Sequence, residues 1–522
     1  MHFTAHAELQ LLALLVALGV MLVAAAVLRL PLAILLVVGG LLLGFVPGLP
    51  QVQLPPDLVL VAVLPPLLYT TAFFTGLRDL RQNLRPISLL AVGLVAVTTC
   101  GVAWVAHTVV SDLSWAVAFT LGAIVSPTDA LAASEVARRV NAPRRIVSII
   151  EGESLVNDGV ALVLYKTAVA AAVAGTFSLW NASWHLVLSV VGGIAIGLGV
   201  GWVVRQVRRR IDDTPTEVAI ALLSGYLAYL PAAALGVSGV LAAVTIGVYM
   251  GWYTPQLTTV QMRLSGNAFW EILAFLVNAL LFALVGVQLR EIVDRLNVTG
   301  SLLLEAAAIA LAVIVIRIVW VPVFTYLPRL MFRRVRERDP YPPWQAPVVI
   351  AWAGIRGAVS LAAALALPAD LPHRDLLIFF TFVVILVTLV GQGLTLPLVI
   401  RAIGIEDDGG AEREDAKARI KAAEAALTRL DELALEDWVR EDTVERMRGA
   451  YRFRSTRFRA RYEGADEDGA EERSIQYQRL RRELLDAERQ AVLALRNDGT
   501  ITEEVMQRVQ RDIDLEDSRL DV

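Results

Sequence analysis

Apolar residues fill the first 403 positions in long runs, interrupted at proline, glycine and charge clusters. A helix needs ~20 mostly apolar residues to cross a bilayer. The runs predict thirteen spans, near 8–28, 31–48, 57–76, 86–109, 113–135, 144–174, 183–204, 216–235, 237–253, 265–289, 301–328, 345–368 and 374–401. The pair within 216–253 also reads as one long broken span, which would make twelve. After residue 403 the pattern changes: Ile420, Ala423, Leu427 and Leu430 recur at 3-4-3 spacing among charges, then the seam fails near Asp437. That length falls short of a coiled coil, so bundled helices are expected.

Charge placement arbitrates between thirteen and twelve spans, because loops on the cytoplasmic side carry the Lys/Arg excess. Arg78/Arg81/Arg85, Arg138/Arg139/Arg144/Arg145, Arg205/Arg208/Arg209/Arg210 and Arg329/Arg333/Arg334/Arg336/Arg338 fall in alternate loops, and those around 47–56, 107–113 and 175–183 have no Lys or Arg. Thirteen spans, with the N-terminus outside and the tail in the cytoplasm, satisfy this alternation. The first run lacks a basic leader and is longer than a signal-peptide core, so it is expected to remain as a helix.

Composition agrees. The chain is 56% hydrophobic and 19% charged, with residues 1–403 holding 25 Lys/Arg and 20 Asp/Glu against 22 and 31 in residues 404–522. An average soluble enzyme is excluded. The expectation is an all-α, polytopic transmembrane domain over 1–403 and a helical cytoplasmic tail over 404–522. The single cysteine, Cys100, excludes an intrachain disulfide. In the tail, the Arg452–Arg461 cluster reads as a solvated or ion-paired face in preference to a headgroup or nucleotide site.

The fifth and twelfth spans run in opposite directions, and each carries a helix-breaking interruption, Ser126-Pro127-Thr128-Asp129 in one and Gly354-Ile355-Arg356-Gly357 in the other. Matching broken helices in oppositely oriented halves point to an inverted-repeat transporter with its site at the midplane. The first interruption also reads as a helix start, with Ser126 as N-cap, Pro127 at N1 and Asp129 at N3, so Asp129 is expected to cap the restarting half-helix while Thr128 offers oxygen to an ion.

Ionisable residues within spans are expensive and mark function by default. Asp129, Glu151, Glu153, Asp158, Lys166, Glu271, Arg317 and Arg356 are the candidates. The sixth span is densest: Ser154 and Asp158 share one helical face, Glu153 and Asn157 a neighbouring one. A hydroxyl and a carboxylate so placed offer oxygen ligands to a small hard cation, and Thr128 and Asp129 offer more. Arg356 needs a countercharge; Glu153 is the first choice, giving a structural ion pair, and Asp129 the second. Arg317 and Glu271 are expected to pair elsewhere, and Lys166 to snorkel to an interface.

Four stretches, LPPLLY (Leu64–Tyr69), SPTDA (Ser126–Ala130), EGESLVNDG (Glu151–Gly159) and GIRGAVSL (Gly354–Leu361), resemble the NhaP-type sodium/hydrogen exchangers of the monovalent cation/proton antiporter (CPA1) family. The resemblance covers residues ~8–402, with four motifs in order at the right spans. It implies two inverted repeats, a homodimer, and a core that moves against a dimerisation domain. It also implies that Asp158 carries ion or proton, that Asn157 supports it, and that Glu153 pairs with Arg356. An asparagine before the aspartate goes with electroneutral, one-for-one exchange in such proteins. The third span departs from some relatives in having no acid from Tyr69 to Thr75.

The function expected is secondary sodium/proton antiport in a bacterial cytoplasmic membrane, with cation and proton competing for Asp158. The metal ligands are Asp158, Asn157, Ser154, Thr128 and Asp129, and no cofactor or nucleic-acid partner is expected. Potassium/proton exchange is an alternative. A channel or sensor on the same fold should show a repeated polar pore lining, and none is visible. An organic-anion carrier should show unpaired midplane cations, whereas acids prevail around the fifth and sixth spans. An enzyme is the weakest reading: the five histidines have no zinc-ligand spacing and no glycine loop cradles a phosphate.

Overall fold

The computed structural model describes residues 16, 19–24, 27, 32–44, 61, 63–174, 179–211, 213–296, 298–405, 409–463, 470–518 and 520. Among them the chain is helical throughout, without strands, and falls into two compact units, Met1–Glu406 and Asp407–Val522.

In the first unit the main helices are α1 (Leu32–Gly44), α2 (Leu64–Phe74), α3 (Leu84–Val109), α4 (Trp115–Val125), α5 (Ala130–Arg139), α6 (Arg144–Ala174), α7 (Leu179–Arg208), α8 (Thr214–Ala234), α9 (Gly239–Leu257), α10 (Val260–Arg295), α11 (Gly300–Met331), α12 (Gln345–Trp352), α13 (Ala358–Leu365) and α14 (Arg374–Ala402). Taking α4 with α5 and α12 with α13, these correspond to twelve of the thirteen expected spans. The first, 8–28, lies largely outside the described residues. Seven segments are long and apolar enough to cross a membrane by length and composition, counted among the described residues.

Residues 216–253 form two helices. Gly236, at φ 74°, ends α8, while Ser238 accepts a hydrogen bond from Leu241 N–H and so starts α9. A left-handed glycine after the last turn and a serine N-cap are the local chemistry of such a break. Similar caps start α4 from Ser114, α8 from Asp213 and α11 from Thr299.

The two expected interruptions are real gaps, and they cross. Residues 126–129 separate α4 from α5, residues 353–357 separate α12 from α13, and Asp129 N–H donates to the Ile355 carbonyl at 2.8 Å. Asp129 caps the restarting half-helix as expected, but from the N-cap position of α5 and not from N3, its carboxylate accepting from Leu131 N–H at 2.9 Å. Ser126 instead turns back to the Ala123 carbonyl. Pro127 has no N–H and disfavours helix at the residue before it, so the half-helix ends there and its successor begins three residues later.

The basic loops gather at one end of the unit. Asp339 binds Arg85, Arg145 and Arg329, at 3.1, 3.2 and 2.5 Å, and Asp79 binds Arg144 at 2.9 Å. Arg205 lies 3.7 Å over the Tyr253 ring, and Trp252 lines a small hollow with Arg78 and Arg81. The alternate loops rich in arginine therefore share a face. Arg208 departs from its expected place in a loop. It is buried, bonded to Glu217 and, at 3.2 Å, to Thr254.

The second unit consists of α15 (Gly410–Leu433), α16 (Glu441–Glu463), α17 (Ala470–Asn497) and α18 (Glu503–Asp517). Ala416 and Ala423 of α15 are buried, as are Val444 and Phe458 of α16. Within the arginine cluster, Arg459 pairs with Glu424, and Arg419 and Arg457 lie over the Phe458 ring.

Candidate functional site

The crossing places opposite charges at the half-helix ends that attract them. The Asp129 carboxylate sits at two N-termini, bonded by Leu131 N–H and set against the amides of Ala132 and Ala358. Arg356 sits at two C-terminal ends: its Nε donates to the Val125 carbonyl at 3.2 Å and its Nη1 to the Gly354 carbonyl. Anions at N-termini and cations at C-termini each gain ~0.3–1 kcal/mol, and more when partly buried. The Arg356 backbone N–H is held by Thr388 Oγ1 at 3.1 Å, within a π-helical widening of α14 over Val387–Gln392.

Helix α6 passes this crossing and adds four polar side chains on adjoining faces. Ser154 Oγ donates to the Thr128 carbonyl at 2.9 Å and accepts from Ala130 N–H at 3.2 Å, which fastens the interrupted backbone to α6. Asn157 Nδ2 donates to Thr128 Oγ1 at 2.8 Å, and that hydroxyl donates to Glu153 Oε1 at 3.1 Å.

Glu153 does not pair with Arg356, contrary to the expected structural ion pair. Arg317, from the middle of α11, takes both its oxygens, Nη1 to Oε1 at 2.5 Å and Nη2 to Oε2 at 2.8 Å, and also donates to the Ile350 carbonyl. Arg317 reaches the carboxylate with both terminal nitrogens, whereas Arg356 turns its Nε and Nη1 to backbone carbonyls and leaves Nη2 without a partner among the described residues. The expected Arg317–Glu271 pair is thereby absent. Glu271 is exposed and lines the cavity described next.

A cavity of about 560 Å³ runs from this crossing towards the basic end of the unit. Thr128, Asp129, Ser154 and Asp158 line its inner part; Glu135, Arg138 and Glu151 line it nearer the basic loops. Of the predicted ligands, Asn157 is the exception. It is fully buried behind Thr128, and its Oδ1 has no partner. Asp158 is 5% exposed, and its carboxylate accepts no hydrogen bond from the described residues. Glu153 is neutralised by Arg317 and Asp129 is occupied in capping, so Asp158 is the inner carboxylate left without a fixed partner.

Sequence reasoning missed three wall residues. Thr70 and Thr71 stand on α2 where an acid was sought, each hydroxyl donating to a carbonyl four residues back and keeping its lone pairs for the cavity. Ser360 sits just beyond the second gap with a buried hydroxyl that has no partner. The available signal was that Thr70 and Thr71 directly follow the LPPLLY stretch and that Ser360 lies within GIRGAVSL.

Two interrupted helices crossing beside buried carboxylates, at the blind end of an open cavity, define a secondary transporter. Residues 11–402 match the family described as sodium/hydrogen exchanger, transmembrane. An uncharacterised Na+/H+ exchanger of Mycobacterium tuberculosis is 38% identical over 93% of this chain and 91% of its own length. The Na+/H+ antiporter ApNhaP of Aphanothece halophytica is 33% identical over 82% and 81%. The chain belongs to this family of Na+/H+ antiporters, of the NhaP type. Its fold is that of the sodium proton antiporter MjNhaP1 from Methanocaldococcus jannaschii, with a TM-score of 0.58 at 20% identity, covering 77% of this chain and 99% of that one.

Proposed function

We propose that this antiporter exchanges one Na+ for one H+ without net charge movement, and that the two ions compete for Asp158. The observation that carries the reading is the division of labour among the buried acids. Glu153 is neutralised by Arg317, Asp129 caps two half-helices, and of the buried acids among the described residues only Asp158 faces the cavity unpaired. A single free carboxylate takes either a proton or a cation. If only these neutral, loaded forms cross, exchange follows and the charge of the moving site is the same in both directions.

Thr128 and Ser154, beside Asp158 in the cavity wall, supply the remaining oxygens from side chain and backbone. Asn157 supports Thr128 through its hydrogen bond and adds no second charge. The cavity ends among Arg138 and Arg139, so with the basic loops in the cytoplasm the site is open inward. The protein works as a homodimer in a bacterial cytoplasmic membrane, its N-terminus outside and residues 404–522 in the cytoplasm.

The test is Na+-driven proton flux in proteoliposomes under clamped voltage, repeated with Li+ and K+ to rank the ions. Moving one elementary charge across 100 mV is worth about 2.3 kcal/mol. Electroneutral exchange predicts the same equilibrium ion gradient at 0 and −100 mV. A gradient that shifts with voltage overturns the one-for-one stoichiometry, and absence of flux with any cation overturns the antiport reading for this chain.

A further inference from the structure

A second cavity, of about 790 Å³, lies on the flank of the membrane unit and shares no residue with the one that holds Asp158. One wall is the back of α6, through Val156 and Val160; the other is α7 and α9, through Val187, Val191 and Val244. Val187 and Val191 are 53% and 60% exposed, so the groove is open along its side. At one end Arg81, Trp252 and Tyr253 close it, and a hollow of about 250 Å³ continues past Leu77 and Trp252 to Arg78.

That end belongs to the face where the basic loops gather, yet its arginines differ from their neighbours. Arg85, Arg145 and Arg329 are spent on Asp339. Arg78 and Arg81 are exposed and make no ion pair with any described residue. Arg205 stands over Tyr253 with no carboxylate partner among the described residues. A long apolar slot, an aromatic pair at its mouth and two unneutralised guanidinium groups beyond it match one ligand in a bilayer: acyl chain in the slot, indole and phenol at headgroup depth, phosphate on the arginines.

We propose that this groove binds an anionic phospholipid, with its phosphate on Arg78 and Arg81 and an acyl chain between α6 and the α7/α9 wall. The proposal does not depend on which cation is exchanged. The lipid lies against the face of α6 opposite Asp158, so its presence sets how easily α6 shifts along α7 and α9.

The test is lipid retention by the full-length protein, purified in mild detergent and offered equimolar phosphatidylglycerol and phosphatidylcholine, read by native mass spectrometry. An arginine near an anionic headgroup is worth about fivefold in binding. Wild type should therefore retain phosphatidylglycerol over phosphatidylcholine by about 25-fold. Arg78→Gln with Arg81→Gln should abolish the preference, Arg209→Gln with Arg210→Gln should leave it, and Val191→Trp, which fills the slot, should lower retention of both lipids. Equal retention by wild type overturns the proposal, as does a preference that survives the Arg78/Arg81 change. So does an equal loss in the Arg209/Arg210 control, which would mean diffuse charge. A lipid-free dimer that dissociates on Val191→Trp would show that a second copy covers the groove instead.

Discussion

Arg317 grips both carboxylate oxygens of Glu153 from across the bundle, at 2.5 and 2.8 Å, with neither side chain open to solvent. Removing one partner of such a pair strands the other charge in an apolar surround, which costs ~3–5 kcal/mol, whereas replacing both by apolar residues of similar size is often neutral. Arg317→Ala and Glu153→Gln should each lower the thermal midpoint and the yield of monodisperse protein. Glu153→Leu combined with Arg317→Met should recover much of that stability, without restoring the hydrogen bond that Thr128 makes to Glu153. A double variant no more stable than either single one would show that the pair does more than neutralise itself.

Arg356 compensates two half-helix C-termini at once through the Val125 and Gly354 carbonyls. A lysine keeps the charge but lacks the planar fork that reaches both oxygens. Stability should fall in the order wild type, Arg356→Lys, Arg356→Gln, the last step costing about 1–2 kcal/mol as the charge facing two dipole ends is lost. Thermal unfolding in detergent reads the order. Equal stability of the lysine and glutamine variants would remove the dipole role.

Gly357 precedes α13 at the crossing, and a Cβ there would overlap the Asp129 carboxylate. Something must shift, at about 1–3 kcal/mol for overpacking of this kind. Gly357→Ala should weaken apparent Na+ affinity by about tenfold or more, since 1.4 kcal/mol is a factor of ten. Initial flux against Na+ concentration measures it. An unchanged half-saturation would mean that Asp129 can move without cost to the ion site.

In the tail, hydrogen bonds from Arg440 hold the Asp442 carboxyl below its ordinary range at the start of α16. A depressed carboxylate contributes stability that is present above its unfolded value and lost as pH falls through the folded one. Amide exchange over residues 440–446 should therefore show greater opening at acid pH than at neutrality, once the intrinsic exchange rate is divided out. In Asp442→Asn that pH-dependent opening should shrink. The residue is fully exposed and screened, so the effect should stay local.

Much of this architecture was legible because period and charge act over long stretches. Twenty-residue apolar runs, alternate arginine loops and two polar interruptions are cheap to read and hard to satisfy otherwise. That is why the gaps at 126–129 and 353–357 and the collection of Glu153, Ser154, Asn157 and Asp158 on one helix were foreseen. Pairing across the bundle was not. Arg317 and Arg356 both sit in apolar spans far from Glu153 in sequence, and nothing local says which of them reaches it. Asp129 was foreseen as the acid that caps the restarting half-helix, but the expected N-cap at Ser126 was wrong for a different reason. Ser126-Pro127 is a favourable N-terminus by propensity, but the crossing backbone at Ile355 takes the Asp129 N–H and fixes the cap there. Arg208 looked like a loop residue until Glu217 and Thr254, on two other helices, closed over it.

The central claim, that one carboxylate serves both ions, is tested most directly by counting protons released per Na+ bound. Calorimetric titration of the purified antiporter with Na+ in two buffers of different ionisation enthalpy gives that number. On the acid side of the transport range wild type should release close to one proton per Na+, and raising the pH should tighten apparent Na+ affinity up to tenfold per unit, as competition for a single site requires. Asp158→Asn, folded and with its thermal midpoint retained, should bind no Na+ and release no proton. Sodium binding to wild type without proton release, or proton release that survives in Asp158→Asn, would contradict the account.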